Sequence, residues 1–81
     1  MKHEVLFERI NAIFRDVFDD ENITVTESTI ADDVEDWDSL ANINLIVTIE
    51  SEFGIKFSID EVANMKNVGE MANIIISKVT Q

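Results

Sequence analysis

The chain has 81 residues, which fits one small domain spanning residues 1–81, and it carries a net charge of −11 from 6 basic and 17 acidic side chains. This charge repels phosphate backbones and anionic membrane surfaces, so we expect no nucleic-acid binding and no membrane insertion. Cysteine is absent and the single histidine, His3, lies near the N-terminus, which disfavours disulfides, thiolate metal sites and a histidine-dependent triad. We therefore expect a small, monomeric, cytoplasmic domain whose partners carry basic surfaces.

The first element is predicted to be an amphipathic helix from about residue 3 to residue 18. Its apolar side chains recur with helical spacing and form one stripe, while charged and amide side chains fall outside it. The stripe consists of Leu6, Ile10, Ile13, Phe14 and Val17. We expect this stripe to face the core.

A long segment without helical periodicity follows, from residue 19 to residue 38. It holds nine acidic side chains and no basic one. Residues 23–26 alternate like a strand but have no partner strand, so we predict a loop with one short helical turn at most. The acids lack the spacing and the glycine of a calcium-binding loop. We interpret them as solvated charge and predict no metal site.

A second helix is predicted to begin at Asp38 or Ser39 and to end at Phe53. Asp38 suits the N-cap position, and Gly54 suits the left-handed residue that follows a helix. Apolar side chains cover more than half of the helical wheel, which is more than packing on one side requires. They are Leu40, Ile43, Leu45, Ile46, Val47, Ile49 and Phe53. The excess indicates contacts on several sides or an apolar surface exposed to a partner.

Two further helices are predicted in the C-terminal third. Ser58 and Glu61 have the spacing of a capping box, which would open a short helix through about residue 64. Asn67 and Glu70 repeat the pattern before a last helix that ends near residue 79. Its apolar stripe consists of Val68, Met71, Ala72, Ile75 and Val79. The predicted fold is all-α, a small four-helix bundle with three main helices, one short helix and a long loop between helices 1 and 2.

From residue 38 onward the sequence resembles the acyl carrier protein family. Asp38-Ser39-Leu40 opens a helix after a long acidic loop, as in that family. Further motifs follow at the family's spacings without a gap; they are Glu50, Glu52, Phe53-Gly54-Ile55 and Val68-Gly69-Glu70. The tripeptide Asp38-Ser39-Leu40 alone recurs by chance in unrelated proteins. Its combination with the later motifs at these spacings is specific to the family. With the first helix, the resemblance covers essentially the whole chain.

The resemblance implies that Ser39 carries a covalent phosphopantetheine arm, which a phosphopantetheinyl transferase takes from coenzyme A. The thiol of the arm would hold an acyl group as a thioester, so a chain without cysteine can carry one. Asp38 and Leu40 would complete the motif and contact the transferase, with Leu40 turned towards the core and Ser39 outward. The chain would then be no enzyme, but a carrier that basic acyl-transfer, ligase or synthase enzymes recognise.

The resemblance also implies a docking surface and an acyl-binding cleft. The candidate docking residues are Ile43, Glu50, Asp60 and Glu61. The candidate cleft residues are Leu45, Ile49, Met65 and Met71. Trp37, directly before the motif, is expected to anchor the loop, because a lone tryptophan usually buries much of its surface.

Several alternatives stay open. A serine near a helix start often serves only as a cap. The pathway could be fatty-acid synthesis, polyketide synthesis or another acyl-transfer pathway. Ala41 and Asn44 stand where carriers of fatty-acid synthesis commonly have acids, which favours a specialised carrier. The cargo could also be an amino acid or a peptide. A different class is an unmodified adaptor domain that binds partners through the apolar second helix.

Overall fold

A computed structural model describes residues 2–79; Met1, Thr80 and Gln81 of the predicted domain lie outside the described residues. The described part contains four α-helices and one 3-10 turn. They are α1 (His3–Val17), the 3-10 turn (Ala31–Asp33), α2 (Ser39–Phe53), α3 (Ile59–Asn64) and α4 (Val68–Val79). The all-α class and the long loop are confirmed, and no strand forms within residues 2–79. None of the described helices is long and apolar enough to span a membrane.

The core lies where α1, α2 and α4 meet. The largest side chains that are fully buried are Leu6, Ile10, Phe14, Leu45, Ile49, Val68, Met71 and Ile75. Burial of each such side chain contributes about 1.5–3 kcal/mol. The predicted stripes of α1 and α4 therefore face the core, with Val17 and Val79 only half-buried at the helix ends. α3 contributes no buried residue, and Val62 packs on the core from outside.

The end of α2 is set by a left-handed glycine, as predicted. Gly54 has φ 67°, and its N–H donates to the Glu50 carbonyl. The Ile55 N–H donates to the same carbonyl at 3.1 Å. One orphan carbonyl at the helix end, that of Glu50, thereby accepts both hydrogen bonds, and the chain turns away towards α3.

The long loop is held to α1 by a pair of hydrogen bonds that the sequence pattern does not predict. The Asn11 side chain on α1 donates from Nδ2 to the Val25 carbonyl (3.3 Å) and accepts from the Val25 N–H (2.6 Å). Val25 itself is buried, with 2% of its surface exposed. Apolar anchoring of the loop through Val25 is therefore combined with pairing of its backbone groups.

The loop also covers the start of α4. The first N–H groups of a helix have no partner within it, and here loop carbonyls accept them. The Val68 N–H donates to the Thr29 carbonyl and the Gly69 N–H to the Glu27 carbonyl, both at 2.9 Å. A Cβ atom at Gly69 would lie 2.7 Å from the Glu27 carbonyl oxygen, so only glycine allows this approach.

Gly69→Ala should therefore destabilise the protein. Alanine has a helix propensity higher than that of glycine by about 1 kcal/mol, so helix propensity alone would make this substitution stabilising. The close contact with the Glu27 backbone reverses the sign, because it forces the loop away from α4 and strains its hydrogen bond. We expect the free energy of unfolding to fall by about 1–3 kcal/mol in urea denaturation.

The matched control is Asn73→Ala, which introduces alanine at an exposed position of the same helix. This variant should be neutral or slightly stabilising, because alanine has the higher helix propensity. Equal stability of wild type and Gly69→Ala would contradict the proposed role of the loop contact.

Candidate functional site

The start of α2 is capped by Asp38 rather than by Ser39. The backbone of Asp38 is extended, and its Oδ1 atom accepts a hydrogen bond from the Ala41 N–H at 2.8 Å. Its carbonyl accepts from the Asn42 N–H at 2.9 Å. A carboxylate at this position also interacts favourably with the helix dipole. The alternative in which Ser39 serves only as the cap therefore loses its structural basis.

Trp37 anchors the segment that leads into α2. Its ring packs edge-on against Phe14 of the core, with centroids 5.2 Å apart. Its indole Nε1 donates to Asn42 Oδ1 at 3.0 Å. Asp36, which directly precedes Trp37 in the chain, adopts a left-handed backbone conformation (φ 69°). The Asp38 N–H donates back to the Asp36 carbonyl at 2.9 Å, which orients Asp38 for capping.

Ser39 presents an uncommitted hydroxyl in the first turn of α2. The residue is exposed, and its Oγ has no hydrogen-bond partner within residues 2–79. In the same described part of the chain, the backbone N–H groups of Ser39 and Leu40 are also without an acceptor. Free N–H groups and the positive end of the helix dipole suit an anionic group. The site therefore fits a phosphodiester bonded to the Ser39 hydroxyl.

A cavity of about 330 Å³ opens directly beside Ser39, and we call it the Ser39 cleft. Its walls include Ser39, Asn42, Met65, Lys66, Asn67 and Met71. The structure thus brings the two methionines predicted for an acyl-binding cleft to the serine. The other two predicted cleft residues, Leu45 and Ile49, are fully buried in the core instead. They lie four residues apart on the α2 face that packs between the helices, so they do not reach this cavity.

The expectation that Leu40 points to the core is wrong. Leu40 is 69% exposed, and it shares an outer face of α2 with Ile43 (60%) and Val47 (57%). The spacing i, i+3 and i+7 places these three side chains in one row, which we call the outer strip. The core contacts come from the opposite face. Ser39 is therefore turned outward by the helix start itself and not by burial of its neighbour.

The outer strip borders a second, apolar cavity of about 330 Å³ between α2 and α3, the α2–α3 groove. Its walls include Ile43, Val47, Phe57, Ile59 and Val62. Ile59 is 88% exposed on the far side. The predicted docking residue Ile43 thus belongs to an apolar surface that continues from α2 onto α3.

Two of the three predicted docking acids make bonds within the chain. Glu50 Oε2 accepts from the Phe57 N–H at 2.8 Å and so ties α2 to the following loop. Glu61 accepts from the Ser58 N–H in the capping box and pairs with Lys78 at 3.1 Å. The Ser58 hydrogen bond, followed by Lys78, lowers the pKa of Glu61 below its ordinary value. Asp60 is exposed on α3. The pattern of acids alone gave no signal that separates these roles.

The family model for the phosphopantetheine attachment site matches residues 8–75 of the chain. An acyl carrier protein from Lactobacillus acidophilus is 31% identical over 77 residues, which is 95% of this chain and 96% of the relative. An acyl carrier protein from Petrotoga mobilis is 32% identical over 79 residues, covering 96% and 92% of the two chains.

The fold also matches a solved structure. The solution structure of holo acyl carrier protein from Geobacter metallireducens superimposes with a TM-score of 0.88 at 41% sequence identity. The match covers 93% of this chain and 86% of that chain. Sequence motif, helix arrangement and relatives agree over nearly the whole length, so the chain belongs to the acyl carrier protein family, whose members are non-catalytic carriers with a phosphopantetheine prosthetic group.

Proposed function

We propose that this chain carries an acyl group as a thioester on a phosphopantetheine arm attached to the Ser39 hydroxyl. The observation that carries the proposal is that the cap residue of α2 and the serine beside it are different residues with different surroundings. Asp38 makes the cap bond, while the neighbouring Ser39 is exposed with an Oγ that no described residue engages. A serine that stabilised only the helix would hold the cap bond itself.

The bound arm supplies the thiol on which the cargo is carried, since the chain has no cysteine. The residues of the chain supply attachment and presentation. The Ser39 hydroxyl forms the phosphodiester bond, and the free N–H groups at the start of α2 face its negative charge. The arm comes from coenzyme A through a phosphopantetheinyl transferase in the cytoplasm, and Asp38 and Leu40 lie beside Ser39 to be recognised by that enzyme.

Partner enzymes are proposed to dock on the outer strip, with Asp60 at the edge of the docking surface. Residues 39–49 contain no charged side chain, so contacts to the strip itself are apolar. The surrounding acidic surface steers basic enzymes towards the carrier and raises the association rate. Neutral Ala41 and Asn44 on this helix favour enzymes of a dedicated acyl-transfer pathway.

Intact-mass spectrometry tests the proposed function. Incubation of the purified chain with coenzyme A and a phosphopantetheinyl transferase should add the mass of one phosphopantetheine group per molecule. A chain that stays unmodified with several transferases would contradict the carrier function and favour the adaptor. Mass spectrometry of the chain isolated from its host would then identify an acyl, aminoacyl or peptidyl cargo.

A further inference from the structure

We propose that the Ser39 cleft binds the first part of the arm, and that Lys66 is the residue that contacts its phosphodiester. This inference rests on the proposed attachment of the arm to Ser39. Lys66 lies in the connection between α3 and α4 and lines the same cavity as Ser39. Its backbone is held in place because its N–H donates to Glu70 Oε2 at 2.6 Å.

Among the residues that the structure describes, the charge of Lys66 is uncommitted, as is that of Lys56, whereas three other basic side chains are bonded within the chain. Arg9 pairs with Glu52 at 2.6 Å, and Lys78 pairs with Glu61 at 3.1 Å. Arg15 donates to the Ile23 carbonyl at 2.8 Å. The Lys66 ammonium has no ion-pair partner within the described range 2–79.

Two amide groups complete a cluster of donors in the cleft. Asn42 Oδ1 accepts from the Trp37 indole at 3.0 Å, and Asn67 Oδ1 accepts from the Glu70 N–H at 2.8 Å. With both oxygens committed, the Nδ2 groups are left as donors, and among residues 2–79 they have no acceptor. Phosphate oxygens and the amide carbonyls of a pantetheine group are acceptors, so the cleft and the arm are complementary.

The charge of Lys66 would offset the repulsion between the phosphodiester and the acidic chain. The phosphodiester adds a negative charge next to Asp38 in a chain that already carries a net charge of −11. Like charges this close repel each other, and one cation beside them offsets part of that cost. A lysine can follow the phosphate as a mobile point charge on its flexible stem.

Melting temperatures of the apo and the arm-loaded protein test the inference. The variant is Lys66→Met, which keeps an unbranched apolar stem of an exposed side chain and removes the charge. At low salt, the difference between the holo and apo melting temperatures should fall by about 2–4 °C relative to wild type. High salt should shrink this change, because it screens the pair.

Lys56→Met is the matched control, since Lys56 is equally an exposed lysine and does not line the Ser39 cleft. It should keep the wild-type holo-minus-apo difference. A second readout is the NMR signal of the side-chain amides in wild type. Loading should shift those of Asn42 and Asn67 and leave that of the exposed Asn73 in place.

The outcomes separate the two proposals. If intact mass shows no arm on wild type, the proposed function fails. If all three proteins load but Lys66→Met and Lys56→Met show the same holo-minus-apo difference, the role of Lys66 is overturned. Unshifted amide signals of Asn42 and Asn67 after complete loading would overturn binding of the arm in the cleft.

Discussion

Ser39→Ala should abolish attachment of the arm and leave the fold intact. In the proposed function the Ser39 hydroxyl accepts the phosphopantetheine group, so no mass gain is expected for this variant after incubation with coenzyme A and a transferase. The helix start is preserved because the cap bond runs from the Ala41 N–H to Asp38. Alanine also has a helix propensity higher than serine by about 0.5 kcal/mol. Circular dichroism should therefore show a melting temperature at or slightly above that of the apo wild type.

The matched control for this variant is Ser51→Ala, because Ser51 is also an exposed serine on α2. It should gain one phosphopantetheine mass like wild type. A mass gain that persists in Ser39→Ala would place the arm on another residue. Loss of loading in both variants would point to damage of the surface that the transferase recognises.

Local sequence signals predicted the helix boundaries and the position of the candidate site. The Asp38 cap, the Ser58–Glu61 capping box and the left-handed Gly54 each depend on residues within one turn of each other. The structure places all of them as expected. Asn67 caps α4 as predicted, but the Glu70 carboxylate accepts from the Lys66 N–H instead of closing a full box.

The orientation of α2 could not be predicted, since apolar residues surround most of its circumference. A pattern of this kind does not say which side faces the core. The neighbours decide it, because α1 packs along one side of α2 and buries Leu45 and Ile49, so that Leu40 faces outward.

Long-range polar contacts were also beyond the sequence pattern. The Glu50 carboxylate accepts a hydrogen bond from the Phe57 N–H, and the Asn11 side chain bonds the backbone of Val25 fourteen residues away. Such bonds depend on how the loops return to the helices, and any glutamate or asparagine could have made them. The role of Glu50 as a loop contact emerges only from the folded chain.

Val47→Glu, in the outer strip, should weaken recognition of the chain by the phosphopantetheinyl transferase. Val47 is 57% exposed, so a carboxylate there meets water in the free protein and the melting temperature should change little. In a complex it would be buried against an apolar partner surface, where an unpaired charge is costly. We expect kcat/KM of the phosphopantetheinyl transferase to fall by about ten- to a hundredfold, the range of a truncated or charged interface anchor.

Val5→Glu separates this effect from net charge. Val5 lies on α1 and is 44% exposed, so the same substitution adds the same charge at a similarly exposed valine away from the outer strip. If docking is apolar and local, Val5→Glu should retain kcat/KM within about twofold, because a remote exposed charge acts only through screened long-range forces. Equal losses in both variants would show that partners respond to total charge. Wild-type rates in both would show that docking does not use the outer strip.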